Sequence, residues 1–141
     1  MPKTNLKLLN YKIDYKIWDD FLSVALEGSW PLEKFGEIKK DMDSVIDSNG
    51  ITKILVDLRK FEGRFGVFDG LKEIEGFRPE SKMLQFAVVD NNENKKNNDF
   101  FENASVNRGY KLIFFYDETE AKKWLQVEDF IEPKRVVVKE Y

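Results

Sequence analysis

Strict alternation marks the first patterned part of the chain. Tyr11, Ile13, Tyr15 and Ile17 fall on one side and Lys12, Asp14 and Lys16 on the other, the period of a strand with one wet face. Asp19-Asp20 interrupts, and Phe21 to Gly28 resumes with Leu22, Val24 and Leu26 in phase. Two such runs joined by a short acidic connection predict an antiparallel hairpin. The period then changes. Pro31, whose missing amide proton suits a first helical position, precedes Phe35, Ile38, Met42, Val45 and Ile46 at spacings of three and four. An amphipathic helix is predicted there, ended by Asn49-Gly50, a pair suited to the left-handed residue that closes many helices.

From Ile54 the apolar residues come in unbroken blocks: Ile54-Leu55-Val56 with Leu58, Phe86-Ala87-Val88-Val89, and Leu112-Ile113-Phe114-Phe115-Tyr116. Blocks without polar alternation predict strands covered on both faces, as in a parallel sheet with helices above and below. Between the blocks, Val67, Phe68, Leu71 and Ile74 fit one helix, and Phe100, Phe101 and Ala104 fit another that Asn107-Arg108-Gly109 ends. After the third block, Asp117 and Glu120 have the offset of a capping box ahead of Ala121, Trp124 and Leu125. The order is ββαβαβαβα, which predicts a mixed α/β sheet with helices packed on it and right-handed crossovers in its parallel part. Asp90 to Asp99 contains no apolar residue and reads as an exposed polar loop, whereas Val136-Val137-Val138 in the tail suits an edge strand.

A length of 141 residues suits one domain, with a core over 8–126 and a tail over 127–141. Charge changes the picture by what it removes. With 23 Lys plus Arg against 26 Asp plus Glu the net charge is −3, so no overall field draws nucleic acid or an anionic membrane. The basic stretch Asn94 to Asn98 lacks interleaved aromatics and reads as a solvated loop. The chain has no Cys and no His, which removes disulfides, thiol nucleophiles, Cys/His zinc sites, catalytic triads and imidazole proton shuttles. The longest apolar stretch, Leu112 to Tyr116, is too short to span a bilayer, and Met1 to Asn5 leads into no segment of signal length, so a soluble cytoplasmic protein is expected.

This order of elements, with Ile54-Leu55-Val56-Asp57-Leu58-Arg59 and Phe61-Glu62-Gly63, then Phe86 to Asp90, then Ala121-Lys122-Lys123-Trp124-Leu125, resembles the STAS fold over residues 8–126. More narrowly it is similar to the small bacterial SpoIIAA-like proteins. In phosphorylation-switched antagonists of that group, the resemblance implies a Ser at the start of the helix after the central strand, where added negative charge breaks a partner interface. No Ser, Thr or Tyr stands between Thr52 and Ser81, so the scaffold comes without that switch. The related layout of CRAL-TRIO lipid-binding domains would imply an apolar ligand cavity, although this chain lacks room for their additional helical segment.

Three constellations carry candidate chemistry. Gly63, Gly66 and Gly70 follow a strand with Arg59, Lys60 and Arg64 nearby, so amides and cations there could hold a phosphate or carboxylate, or the glycines only relieve a tight turn. Asp57, Asp90 and Asp117 lie at the carboxyl ends of the three parallel strands, where converging carboxylates could hold Mg²⁺, or each could serve its own turn or helix cap. Phe61, Phe65, Phe68 and Phe77 concentrate aromatic area around one helix, as core, as an interaction patch or as the lining of a cavity. The first expectation is a non-catalytic binding or regulatory module that contacts a protein partner, and leaves a homodimer open, through Arg59, Glu62, Gly63, Arg64, Phe65, Phe68 and Asp69. The alternative is a carrier or sensor of a small apolar or anionic ligand, a lipid or a nucleotide, which requires an apolar pocket. No cofactor and no resident metal are expected, and an enzyme comes third, since it would need Asp57 or Asp90 to meet another polar group in a cleft.

Overall fold

The computed structural model describes residues 11–29, 32–128 and 132–140, so Pro31 and residues 8–10 of the expected core lie outside the described residues. Strands β1 (Tyr11–Ile17) and β2 (Leu22–Ser29) form the expected antiparallel hairpin, with Tyr15 opposite Val24. Trp18 closes its turn, donating its amide to Phe21 O at 2.9 Å and stacking on the Phe21 ring with centroids 5.5 Å apart. Helix α1 (Phe35–Ser48) leads to β3 (Lys53–Glu62), α2 (Val67–Glu75), β4 (Gln85–Val89), α3 (Lys95–Asn107), β5 (Lys111–Phe115) and α4 (Glu118–Leu125). Gly50 and Gly109 follow α1 and α3 with φ of 60° and 89°, a conformation that a side chain would strain.

The sheet order is β5-β4-β3-β2-β1-β6, with β2, β3, β4 and β5 mutually parallel. The tail supplies β6 (Arg135–Glu140), which pairs antiparallel with β1 at the edge. Alternation along each strand divides the core in two. Ile54 and Val56 of β3 and Val88 of β4 join Ile38 and Ile46 of α1 on one face. Leu55, Ala87 and Val89 join Ala121 and Leu125 of α4 on the other. Helices α1, α2 and α3 therefore share one face of the sheet, and α4 covers the parallel part of the opposite face.

Two elements depart from the sequence pattern. Strand β3 runs on to Glu62 because one extra residue is accommodated opposite Leu26: Ala25 pairs with Asp57, but Glu27 pairs with Lys60. That bulge resets the alternation, so Leu58 and Phe61, an odd number of residues apart, both join the core on the three-helix face. The stretch from Asp90 to Asp99 is not an exposed loop. A 3₁₀ turn at Asn92–Asn94 passes directly into α3 at Lys95, and Asp90 and Asn98 are each 1% exposed. Asn94 and Asn98 turn their amides inward to Asp90, while Asn92, Glu93, Lys95, Lys96 and Asp99 of the same stretch remain exposed.

Candidate ligand cavity and its polar end

Between the sheet and α1, α2 and α3 lies a cavity of about 240 Å³. Its floor is Val56, Leu58, Phe86, Val88, Leu112 and Phe114, from three adjacent strands. Ile38 and Met42 of α1, Ile74 of α2 and Phe101 of α3 supply the walls at helical spacing. Gly70 is buried in α2 beside the Phe101 ring: a Cβ there would stand 1.7 Å from Phe101 Cε1. The close approach of α2 to α3 thus depends on a residue without a side chain.

One end of the cavity is polar and internally matched. The Asp90 carboxylate, at the end of β4, accepts from Arg64 Nη2 at 2.8 Å, Arg64 Nε at 3.3 Å, the Asn91 amide at 2.7 Å, Asn94 Nδ2 at 3.2 Å and Asn98 Nδ2 at 3.0 Å. Burial by itself would raise its pKa, but the Arg64 guanidinium, the Asn98 amide and the Asn91 N–H outweigh it and hold the carboxyl below its ordinary value. Arg64 also donates to the carbonyls of Leu58 at 3.1 Å, Phe61 at 2.9 Å and Gly63 at 2.7 Å. The left-handed turn at Gly63, φ 107°, brings Arg64 back against the strand it has just left. Arg64 therefore ties the end of β3 to the end of β4, and through Asp90 to Asn98 of α3.

The remaining candidate residues are placed as follows. Arg59 is exposed and bridges two acids, donating Nη2 to Asp57 at 2.9 Å and to Glu118 at 2.8 Å, which joins β3 to the first turn of α4. Asp57 also accepts the Arg59 amide at 3.0 Å, and despite the penalty of burial these bonds hold its carboxyl below the ordinary range. Asp117 caps α4 by accepting from the Thr119 amide at 2.9 Å. Asp57, Asp90 and Asp117 are thus engaged separately, and among the described residues no three acidic side chains are grouped to hold a metal ion. Glu62 and Asp69 are exposed, at the end of β3 and in the first turn of α2.

The four phenylalanines divide. Phe61 is core, Phe65 is half-buried edge-on to Phe35 with centroids 5.0 Å apart, and Phe77 is half-buried edge-on to Tyr110 at 5.2 Å. Phe68, on α2, is 83% exposed, next to Val67 at 44%. Sequence reasoning missed Asn94, Asn98 and Ser105. Their signal was present: Asn94 and Asn98 follow Asp90 at steps of four, and Ser105 lies two turns further along the same helix. Among the described residues no helix is long and apolar enough to cross a membrane.

Six strands in this order, with three helices on one face and one on the other, form a SpoIIAA-like mixed α/β fold. An uncharacterised DUF3478-family protein with that fold, from Shewanella loihica PV-4, is similar to this chain, with a TM-score of 0.55 and 18% identity over 82% of this chain and 93% of that one. No family model and no curated protein matches the sequence.

Proposed function

We propose that the protein is a non-catalytic binding module that takes up a small apolar molecule between the sheet and α1, α2 and α3. The supporting observation is the cavity of about 240 Å³, floored by six apolar side chains of β3, β4 and β5. Well-packed domains of this size contain few voids larger than a water molecule, and an apolar space well above that size is a binding-site feature. The polar groups at its end are satisfied by one another, so the reading requires no proton transfer and no nucleophile. Titration of the intact protein with naphthalene, followed by calorimetry, tests it. Saturable one-to-one binding is expected, and Val88→Phe, which places a ring in the cavity, should abolish it, with Val88→Leu as a milder second variant. Absence of binding to the unaltered protein, or undiminished binding to both variants, would overturn the reading.

A second reading, recognition of a protein partner, is favoured by Phe68 and Val67, whose exposed apolar side chains begin α2 beside Asp69. Phe68 and Val67 adjoin one another, and a contiguous exposed apolar patch, unlike a single exposed residue, marks an interaction surface. The discriminating variant is Phe68→Ser, which should leave naphthalene binding intact while removing a partner captured by the unaltered protein.

A further inference from the structure

From the cavity's size and the state of its polar groups, we infer that its ligand is a neutral molecule of about ten non-hydrogen atoms carrying one hydrogen-bonding group, anchored at Ser105. This rests on the ligand-binding reading above and specifies its chemistry. Size comes first. An engineered apolar cavity of about 150 Å³ holds benzene, so about 240 Å³ suits a fused pair of rings or an equally compact chain and is too small for a long-chain lipid.

Charge comes second. Three cations reach the wall, and each already has partners. Arg64 is held by Asp90 at 2.8 Å. The charge of Arg78 is paired with Asp47 at 2.8 Å and with Asp43 at 3.6 Å, and only its buried Nε is left without a hydrogen-bond partner. Lys39 donates to Gly76 O at 3.1 Å and lies 5.1 Å above the Phe77 ring. Glu73 brings a further negative charge to the wall, which opposes an anionic ligand. A carboxylate or phosphate would lose its water without gaining a free cation, and an ammonium would be drawn from water into walls that are mostly apolar.

The anchor comes third. Ser105 lines the cavity from α3, is 1% exposed, and its hydroxyl has no hydrogen-bond partner within the protein. Buried hydroxyls are normally satisfied. A serine hydroxyl both donates and accepts, so a single hydroxyl or carbonyl group on the ligand completes it.

Four ring-matched probes test this on the intact protein: naphthalene, 2-naphthol, 2-naphthoate and 1-naphthylmethylamine. The expected order places 2-naphthol first, about tenfold tighter than naphthalene, with both charged probes weakest. Ser105→Ala should remove the 2-naphthol advantage, leave naphthalene affinity unchanged and raise the melting temperature of the ligand-free protein. Equal affinities for naphthalene and 2-naphthol, or a Ser105→Ala protein that keeps the preference, would overturn the anchor while leaving the cavity reading in place. Tightest binding by either charged probe would overturn neutrality. Failure of all four to bind would overturn both this inference and the reading beneath it.

Discussion

Ala87 and Val88 are neighbours on β4 and face opposite sides of the sheet. Ala87, with no exposure, belongs to the cluster in which Ala121 and Leu125 of α4 sit on Leu55 and Val89. Val88 belongs to the floor of the cavity. At this position small residues on both partners, Ala87 and Ala121, let α4 settle closely onto β4, while Phe21, Trp18, Phe115 and Trp124 fill the rest of that cluster. On the other face, α1, α2 and α3 meet the sheet through large side chains such as Phe61, Phe86 and Phe101, and rings of that size leave space between them. At these two neighbouring positions the packing therefore differs with the local side chains, closed around Ala87 and open beside Val88, rather than with overall hydrophobicity.

The sharpest way to break that contrast is to remove the polar end of the cavity. Asp90→Ala leaves the part-buried Arg64 guanidinium without its counter-charge and the Asn98 amide without its main acceptor, and should cost about 3 to 5 kcal/mol in urea unfolding. A loss below about 1 kcal/mol would mean that water satisfies those groups. Next in size is a matched pair. Ala87→Leu overpacks the close face and should destabilise by about 1 to 3 kcal/mol, whereas Val88→Leu enters the cavity and should fall within about 0.5 kcal/mol of the unaltered protein. Equal costs for the two would erase the distinction between faces.

The smallest expected effect is on acid stability. The Asp90 carboxyl titrates below its ordinary value in the folded protein, so its contribution is complete above that value and is lost as pH falls through the lowered one. Asp57 shifts in the same direction, so Asp90→Asn should make the acid limb of a stability-against-pH curve shallower without flattening it. An unchanged limb would remove Asp90 from the account.

Local patterns are legible in the chain itself. Alternation marks β1 and β2, Gly50 and Gly109 mark helix ends, and Asp117 marks the cap of α4, because each depends on residues a few positions away. What is not legible depends on residues far apart. Nothing adjacent to Leu58 signals the bulge that turns Phe61 inward, since that bulge is a matter of pairing with β2. Asp90 reads as solvated because its principal partner, Arg64, lies on another connection, and the same separation makes Arg64 read as free for an external contact. The cavity needs side chains from β2, β3, β4, β5 and three helices to be placed at once, so only the supply of aromatic residues hints at it. Phe68 shows the reverse limit: its spacing from Leu71 suits a buried stripe, yet the buried face of α2 is the one carrying Gly70, against Phe101 of α3, and Ile74.

The last strand has a consequence for how the molecule opens. β6 joins the sheet only through β1, with Tyr15 opposite Val137, and its partner lies at the other end of the sequence. Val136 and Val138 are about half exposed, so little apolar burial reinforces that ladder. Its amides should exchange with solvent by local unzipping, well ahead of the amides of β3 and β4. Once unzipped, β1 presents a bare edge to solvent. Arg135 and Lys139 of β6 reach Asn49 and Asp41 at helix α1, at 2.8 Å each, and would be released with β6, whereas the charges of β1 alternate with Tyr11, Ile13, Tyr15 and Ile17. An uncovered β1 therefore offers unpaired backbone groups beside an apolar row, which makes this seam the place where association between copies would begin under destabilising conditions.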